Sequence, residues 1–283
     1  MSAFRNISAS FADTVAHSDF LWNVVSRTAV RWSQYLCQSR RSLEAERLVQ
    51  NDALLSKSIG ACVVMEGPFA GMNYGRTASF CSAYHPKILG TYERELVPAI
   101  ESLLAKKHRI IVDVGAADGF YAVGFALRLE SSRVIAYEQS PRARKQLSLL
   151  ARTNGVDGRI EIRERCELSD MMALPKTPGL LIVDCEGYEE VLLSVDSIAH
   201  LRHWDFLIET HDGFSREVTR RLVERFSATH EVEIVETIHD LDKADHFAPQ
   251  VIRHLSRQDQ DLLLAEQREH ATLRWIVCRG HAS

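Results

Sequence analysis

The sequence predicts an α/β protein with a mainly parallel sheet covered by helices on both faces. Two observations carry that reading. From about residue 91 onward, short apolar runs alternate with amphipathic segments, the pattern of repeated βαβ units. At 109–127 the run RIIVDVGAADGFYAVGFAL reads as a buried strand, a glycine-bearing loop and a helix.

In chain order, residues 1–90 form an N-terminal extension and 91–283 the main domain. In the extension, FLWNVVSRTAVRWSQYL places Phe20, Leu21, Val24, Val25, Ala29, Trp32 and Leu36 roughly on one helical face. That helix is expected to pack on the core or on a partner subunit, a route to a homo-oligomer. It contains no lysine and little arginine, which disfavours a membrane-surface role. The stretch ACVVMEGPFAGMNYG within 61–82 reads as two short strands around a Gly-Pro turn. A helix is expected next, with Thr91 as N-cap and Glu93 and Glu95 in its first turn, where the helix dipole favours acidic groups.

Strands are then expected at 109–114, 133–138, 159–164, 179–184, 205–210, 231–237 and 273–279, seven in all. Helices fit at 119–130, 141–153, 187–194, 215–228 and within 248–267. The pattern leaves open whether the last strand, LRWIVCR, runs antiparallel. Ser140-Pro141 supplies a cap and a first-turn proline for the helix that follows.

Composition narrows the function classes. A net charge of −4 gives no basic footprint for nucleic acid. The six cysteines are scattered without a C-x-x-C pair, so neither a disulfide framework nor a zinc site is expected. No run approaches the ~18 apolar residues of a membrane span, and no signal-peptide pattern opens the chain. A reducing, cytoplasmic location is the expectation.

In open α/β sheets, ligands sit outside the carboxyl ends of the strands where strand order reverses. The loop after the first strand holds Asp113, Gly115, Ala116, Asp118 and Gly119. Gly115 permits positive φ or close backbone approach, and Asp118 is placed to cap the next helix. Glu138, ending the second strand, is placed to accept hydrogen bonds from two ribose hydroxyls. Only two glycines remain where a pyrophosphate wants several, and Asp118 would repel it. S-adenosylmethionine carries no phosphate and bears a sulfonium and an ammonium, so Asp113 and Asp118 favour it over NAD.

These residues resemble the FkbM-like family of class I S-adenosylmethionine-dependent methyltransferases. The family's V-D-V-G-A-x-x-G-x-Y/F block stands here as VDVGAADGFY at 112–121. Its second block is similar to VIAYEQSPRARKQLSLLARTNGV, which carries Glu138 and Asn154. Its third is similar to IVDCEGYEEVLL at 182–193, and its fourth to FLIETHDG, with Glu209 and His211. The chain departs at Gln139, where proline is usual, and at Cys185, where an apolar residue is. The resemblance implies a seven-stranded Rossmann-like sheet and S-adenosylmethionine as methyl donor. It further implies O-methylation of a sugar, glycan or secondary-metabolite hydroxyl. The competing readings are a non-catalytic S-adenosylmethionine-binding protein and an NAD-dependent oxidoreductase.

Methyl transfer to a hydroxyl needs alignment, a dry pocket and a proton acceptor. Asp184, Glu186, Glu209 and His211 lie at the ends of the fourth and fifth strands. His211 titrates nearest neutral pH and is expected as base, with Asp184 and Glu209 orienting it or the acceptor. Asp184, Glu209 and His211 could alternatively hold a divalent cation. Thr91 and Tyr92 are expected to close over the methionine end of the cofactor, Tyr121 to line the same pocket, and Cys166 to border the adenine.

Overall fold

A computed structural model describes residues 62–75, 83–212, 217–266 and 274–280. They belong to one compact unit, Ser58–Ser283; Met1–Lys57 is the other unit, and the amphipathic run at 20–36 lies outside the described residues.

Seven strands form one sheet in the order β3-β2-β1-β4-β5-β7-β6. They are β1 Ile110–Val114, β2 Arg133–Tyr137, β3 Ile160–Arg163, β4 Leu180–Val183, β5 Asp205–Thr210, β6 His230–Glu236 and β7 Arg274–Gly280. Each lies within a residue or so of its expected place. β1 to β5 pair in parallel, and β7 inserts antiparallel between β5 and β6, which resolves the orientation left open by its sequence.

Strand alternation sorts the core into two layers. Ile111, Leu180, Ile182, Leu207, Trp275 and Val277 face one layer. Val112, Val114, Leu181, Val183, Phe206, Ile208 and Ile276 face the other. Both sides being apolar explains why IIVDV and LLIV read as near-continuous hydrophobic runs. The first layer is closed by α2 (Val97–Ala105), α3 (Phe120–Arg128) and α4 (Pro141–Thr153). The second is closed by α5 (Leu168–Ala173), α6 (Glu189–Leu192), α7 (Val195–His200) and α8 (Val218–Phe226). Two further helices, α9 (Lys243–Phe247) and α10 (Arg257–Leu264), lie between β6 and β7. Ser140 caps α4, its Oγ accepting from the Ala143 N–H at 3.4 Å, with Pro141 in the first turn.

The N-terminal part differs from expectation in three ways. The segment 62–75 makes a single antiparallel bridge, Val63 to Asn73, not two strands. Its Val64, Phe69, Met72 and Tyr74 are built into the first core layer, so the unit begins at Ser58 and not after Gly90. A short helix, α1 (Tyr84–Leu89), precedes the cleft and ends at Gly90, in the left-handed region at φ 76°. Thr91 does not cap a helix: its hydroxyl donates to the Pro86 carbonyl at 3.4 Å. Glu93 is left-handed at φ 48° and α2 starts only at Val97. A helix running from Thr91 would put Pro98 in its interior, where the ring clashes with the preceding turn. The run at 239–247, outside the helices expected from sequence, contains α9, whose Lys243 turns inward to pair with buried Glu266. Among the described residues no helix is long and apolar enough to cross a membrane.

Candidate active site

Strand order reverses between β1 and β4, and a cleft of about 220 Å³ opens there at the carboxyl ends of the strands. Of the residues singled out from sequence, Asp113, Gly115, Ala116 and Asp118 line it from β1 and the following loop, and Tyr121 from the first turn of α3. Glu138 and Gln139 line it from the end of β2, and Cys166, Asp184 and Tyr92 from further loops. Gly119, Thr91, Glu209 and His211 do not form its wall. Gly119 instead starts α3 at φ 94° and packs on Leu147.

The loop is held tightly. A Cβ on Gly115, at φ 87°, would sit 1.6 Å from the Asp184 carbonyl oxygen, so only glycine lets β1 and β4 close at this point. Gly115 and Ala116 both donate to the Tyr137 carbonyl at 2.9 and 3.0 Å, and Gly119 donates to Ala116 at 2.8 Å. Glu138 completes the scaffold: its carboxylate accepts from the Ala117 N–H at 2.9 Å and the Ser140 N–H at 2.6 Å. Four of the five amides from 115 to 119 are thereby committed to protein acceptors.

Asp118 does not cap α3. Its carboxylate is paired with the Lys87 ammonium, at 2.9 and 3.2 Å, and also accepts from the Tyr74 hydroxyl. Its charge is therefore offset inside the protein, and repulsion by Asp118 no longer discriminates against phosphate. Asp113 is different. It is 3 % exposed, and its Oδ2 makes no hydrogen bond among the described residues. Burial, reinforced by the charge of Glu138 and opposed by the Ala122 N–H, pushes its carboxyl up to about 7.

Lys87, Phe120, Glu164, Arg165, Glu186 and Tyr188 also border the cleft. Lys87 was missed because it lies in PKIL, before the first strand, and no spacing in the chain links it to Asp118. Burial pushes the Cys166 thiol up to about 12 and raises that of Cys185 as well, so neither is a thiolate nucleophile.

Behind Asp184, His211 is surrounded by carboxylates. Its Nδ1 lies 2.9 Å from Glu189 Oε1. Its Nε2 lies 3.4 Å from Glu186, 3.6 Å from Asp184 and 3.7 Å from Glu209. Burial works against protonation, but the Glu189 hydrogen bond and the charges of Glu209, Glu189 and Glu186 outweigh it. The imidazole is thereby raised above its ordinary value of 6.5. The base expected from sequence is thus biased toward its protonated form by its surroundings. Ligand atoms of Asp184, Glu186 and His211 lie within 4.8 Å of one another and could hold a cation; Glu209, expected in that set, is not part of it.

No family model and no curated protein matches the chain. Among solved structures it is similar to the O-methyltransferase TomG from Streptomyces achromogenes, involved in tomaymycin synthesis and solved with SAM. The identity is 12 %, covering 65 % of this chain and 81 % of that one, with a TM-score of 0.44. It is also similar to an O-methyltransferase from Bacillus cereus solved with SAH, at 11 % identity, 63 % and 78 % coverage and TM-score 0.43. A SAM-dependent O-methyltransferase from Thermotoga maritima is similar at 14 % identity, 66 % and 65 % coverage and TM-score 0.42. The fold is the mixed, mostly parallel seven-stranded Rossmann-like sheet.

Proposed function

We propose that this chain is an S-adenosylmethionine-dependent methyltransferase acting on a hydroxyl of a small molecule or glycan, of the FkbM-like kind. The observation that carries the cofactor is the state of the glycine loop. A pyrophosphate is held by free backbone amides, whereas here Gly115, Ala116, Ala117 and Gly119 donate to protein acceptors. A ligand without phosphate fits this loop. Buried Asp113, with one oxygen lacking a partner among the described residues, suits a cationic group. Glu138 keeps acceptor capacity for ribose hydroxyls, since a carboxylate offers about four lone-pair sites and two backbone amides take two.

S-adenosylmethionine would supply an activated methyl group on a sulfonium. The chain's own residues then have to align the acceptor, exclude water and take up one proton. Tyr92, Phe120 and Tyr121 give the cleft an aromatic wall beside the loop. Asp184 lines the cleft and lies 3.6 Å from His211 Nε2, so it stands between an acceptor in the cleft and the imidazole. His211 in its neutral form accepts the proton at Nε2, while Glu189 holds Nδ1 and Glu209 sits beside the ring.

Calorimetric titration with S-adenosylhomocysteine, with NAD as control, tests the reading. Binding of the first alone supports it, and turnover on hydroxylated acceptors separates enzyme from mere binder. Binding of NAD would sink it.

A further inference from the structure

Between β6 and β7 the chain makes an excursion, residues 238–266, that carries α9 and α10, and none of its residues lines the cleft. It nevertheless buries a lysine and a glutamate: Lys243 is 1 % exposed and pairs with Glu266, itself 5 % exposed. A buried ion pair is a weak device for stability, because apolar residues of similar volume do as well or better. Asp240 supports this pair from within the excursion, lying 3.8 Å from Lys243 Nζ and accepting from the Glu266 N–H at 3.0 Å. On its other side, Glu266 Oε1 accepts from the Glu93 N–H at 2.8 Å, across 173 residues of chain.

Glu93 stands at φ 48°, a left-handed backbone that is strained for a residue with a side chain and persists only where its surroundings over-determine it. Three hydrogen bonds do so. The Glu93 N–H is taken by Glu266, the Glu93 carbonyl accepts from the Leu96 N–H at 2.9 Å, and the Glu95 carboxylate accepts from the Ile238 N–H at 3.2 Å. The first and the last come from the excursion. The buried Glu93 carboxylate in turn accepts a hydrogen bond from the Tyr121 hydroxyl. Tyr121 and Tyr92, the neighbour of Glu93, both line the cleft. The Tyr121 ring lies 6.0 Å from that of Trp275, the cross-strand partner of Glu209, whose carboxylate sits beside His211. One line of contacts thus runs from Asp240 and Lys243 through Glu266 and Glu93 to the cleft wall.

We infer that Glu266 is a positioning residue for the cleft: by holding the Glu93 amide it fixes the left-handed turn that sets the Tyr121 hydroxyl and the Tyr92 ring. The excursion between β6 and β7 therefore shapes the site without touching it. That this wall receives S-adenosylmethionine rests on the reading above; the line of contacts does not.

Two double variants of the full chain separate positioning from stability. K243M/E266M and K243M/E266Q both remove the ion pair, but only the glutamine keeps an oxygen able to accept from the Glu93 N–H. Each is labelled with meta-fluorotyrosine, and the Tyr121 fluorine resonance is assigned by its loss in Y121F. With no ligand present, that resonance is expected to move in K243M/E266M and to keep its wild-type position in K243M/E266Q. The Tyr137 resonance, assigned likewise, is expected to stay in both. Movement of the Tyr121 resonance in both variants, or in neither, overturns the inference. Calorimetric titration with S-adenosylhomocysteine then reads the cleft. A loosened side chain must be re-ordered on binding, so K243M/E266M is expected to lose about two- to tenfold in affinity, with K243M/E266Q unchanged. Equal affinities in the two variants also overturn the inference. Wild-type protein that binds no S-adenosylhomocysteine overturns the cofactor reading, and the ligand-free resonances then decide the role of Glu266 by themselves. Should neither variant fold, hydrogen exchange on the wild-type chain decides: the Glu93 amide is expected to exchange as slowly as those of β4, and exchange as fast as an exposed loop overturns the inference.

Discussion

His211 Nδ1 lies 2.9 Å from Glu189 Oε1, and the Glu189 side chain is wholly buried. Burial works against the Glu189 charge, but the His211 and Gly187 hydrogen bonds outweigh it and hold the carboxyl below its usual range. Each partner thus favours the charged form of the other, and the ring is oriented with Nε2 toward Asp184, Glu186 and Glu209.

If neutral His211 takes the acceptor proton, methyl transfer rises with pH through a value above 6.5, the ordinary histidine value. The stability effect has the opposite sign. A group raised on folding contributes fully below its unfolded value, and the contribution is lost as pH rises through the folded one. His211→Ala should slow transfer by roughly 10²–10⁴-fold, with S-adenosylhomocysteine affinity little changed. A pH–rate profile with calorimetry on the same variant checks both halves, and full activity would transfer the role to Asp184.

A protonated Nε2 cannot ligate a metal, and the carboxylates around His211 favour that protonated form. Activity is therefore expected to survive chelation with EDTA. Loss on chelation and recovery with Mg²⁺ or Mn²⁺ would reassign Asp184, Glu186 and His211 to a cation.

Asp113 makes a claim about stability and binding together. Its carboxyl stands at about 7 in the folded chain against 3.8 ordinarily, so folding takes up a proton between those pH values. Stability falls as pH rises across that window and stays lower above it, by an upper bound of about 4 kcal/mol. Asp113→Asn should flatten the fall and stabilise the ligand-free protein at pH 8 by about 1–3 kcal/mol, while weakening S-adenosylhomocysteine binding. Urea unfolding at pH 5 and pH 8 reads the first effect and calorimetry the second. A variant less stable at pH 8 would contradict the assignment.

Gly115 and Gly155 are a matched pair for the loop. Both have positive φ, but a Cβ at Gly155 (φ 67°) meets nothing within 4 Å, whereas one at Gly115 overlaps the Asp184 carbonyl. Gly155→Ala should cost about 1 kcal/mol, the left-handed penalty alone, and leave cofactor binding intact. Gly115→Ala should abolish binding, since the end of β4 must move aside. Thermal melts and titration of the two variants distinguish a backbone penalty from a steric one.

All seven strands were legible in the sequence, because buried parallel strands write themselves as apolar runs and the segments between them as amphipathic helices. Most of the cleft-lining loop was legible too: Asp113, Gly115, Glu138 and Asp184 stand at strand ends, where chain order alone brings them to one edge of the sheet. Thr91 was misread because local capping signals say nothing of Pro98 seven residues on in the chain. Lys87 and Tyr74 left no signal, since their meaning lies in contact with Asp118, 31 and 44 residues away.

The sequence by itself determined where the strands lie, the glycine after the first of them and the acids at the strand ends, all local consequences of periodicity and backbone sterics. Only the tertiary structure decided which of those charges meet. Asp118 is offset and Asp113 is not, and His211 sits among carboxylates that favour its charged form, because charge states are fixed by burial and by neighbours that chain order does not specify.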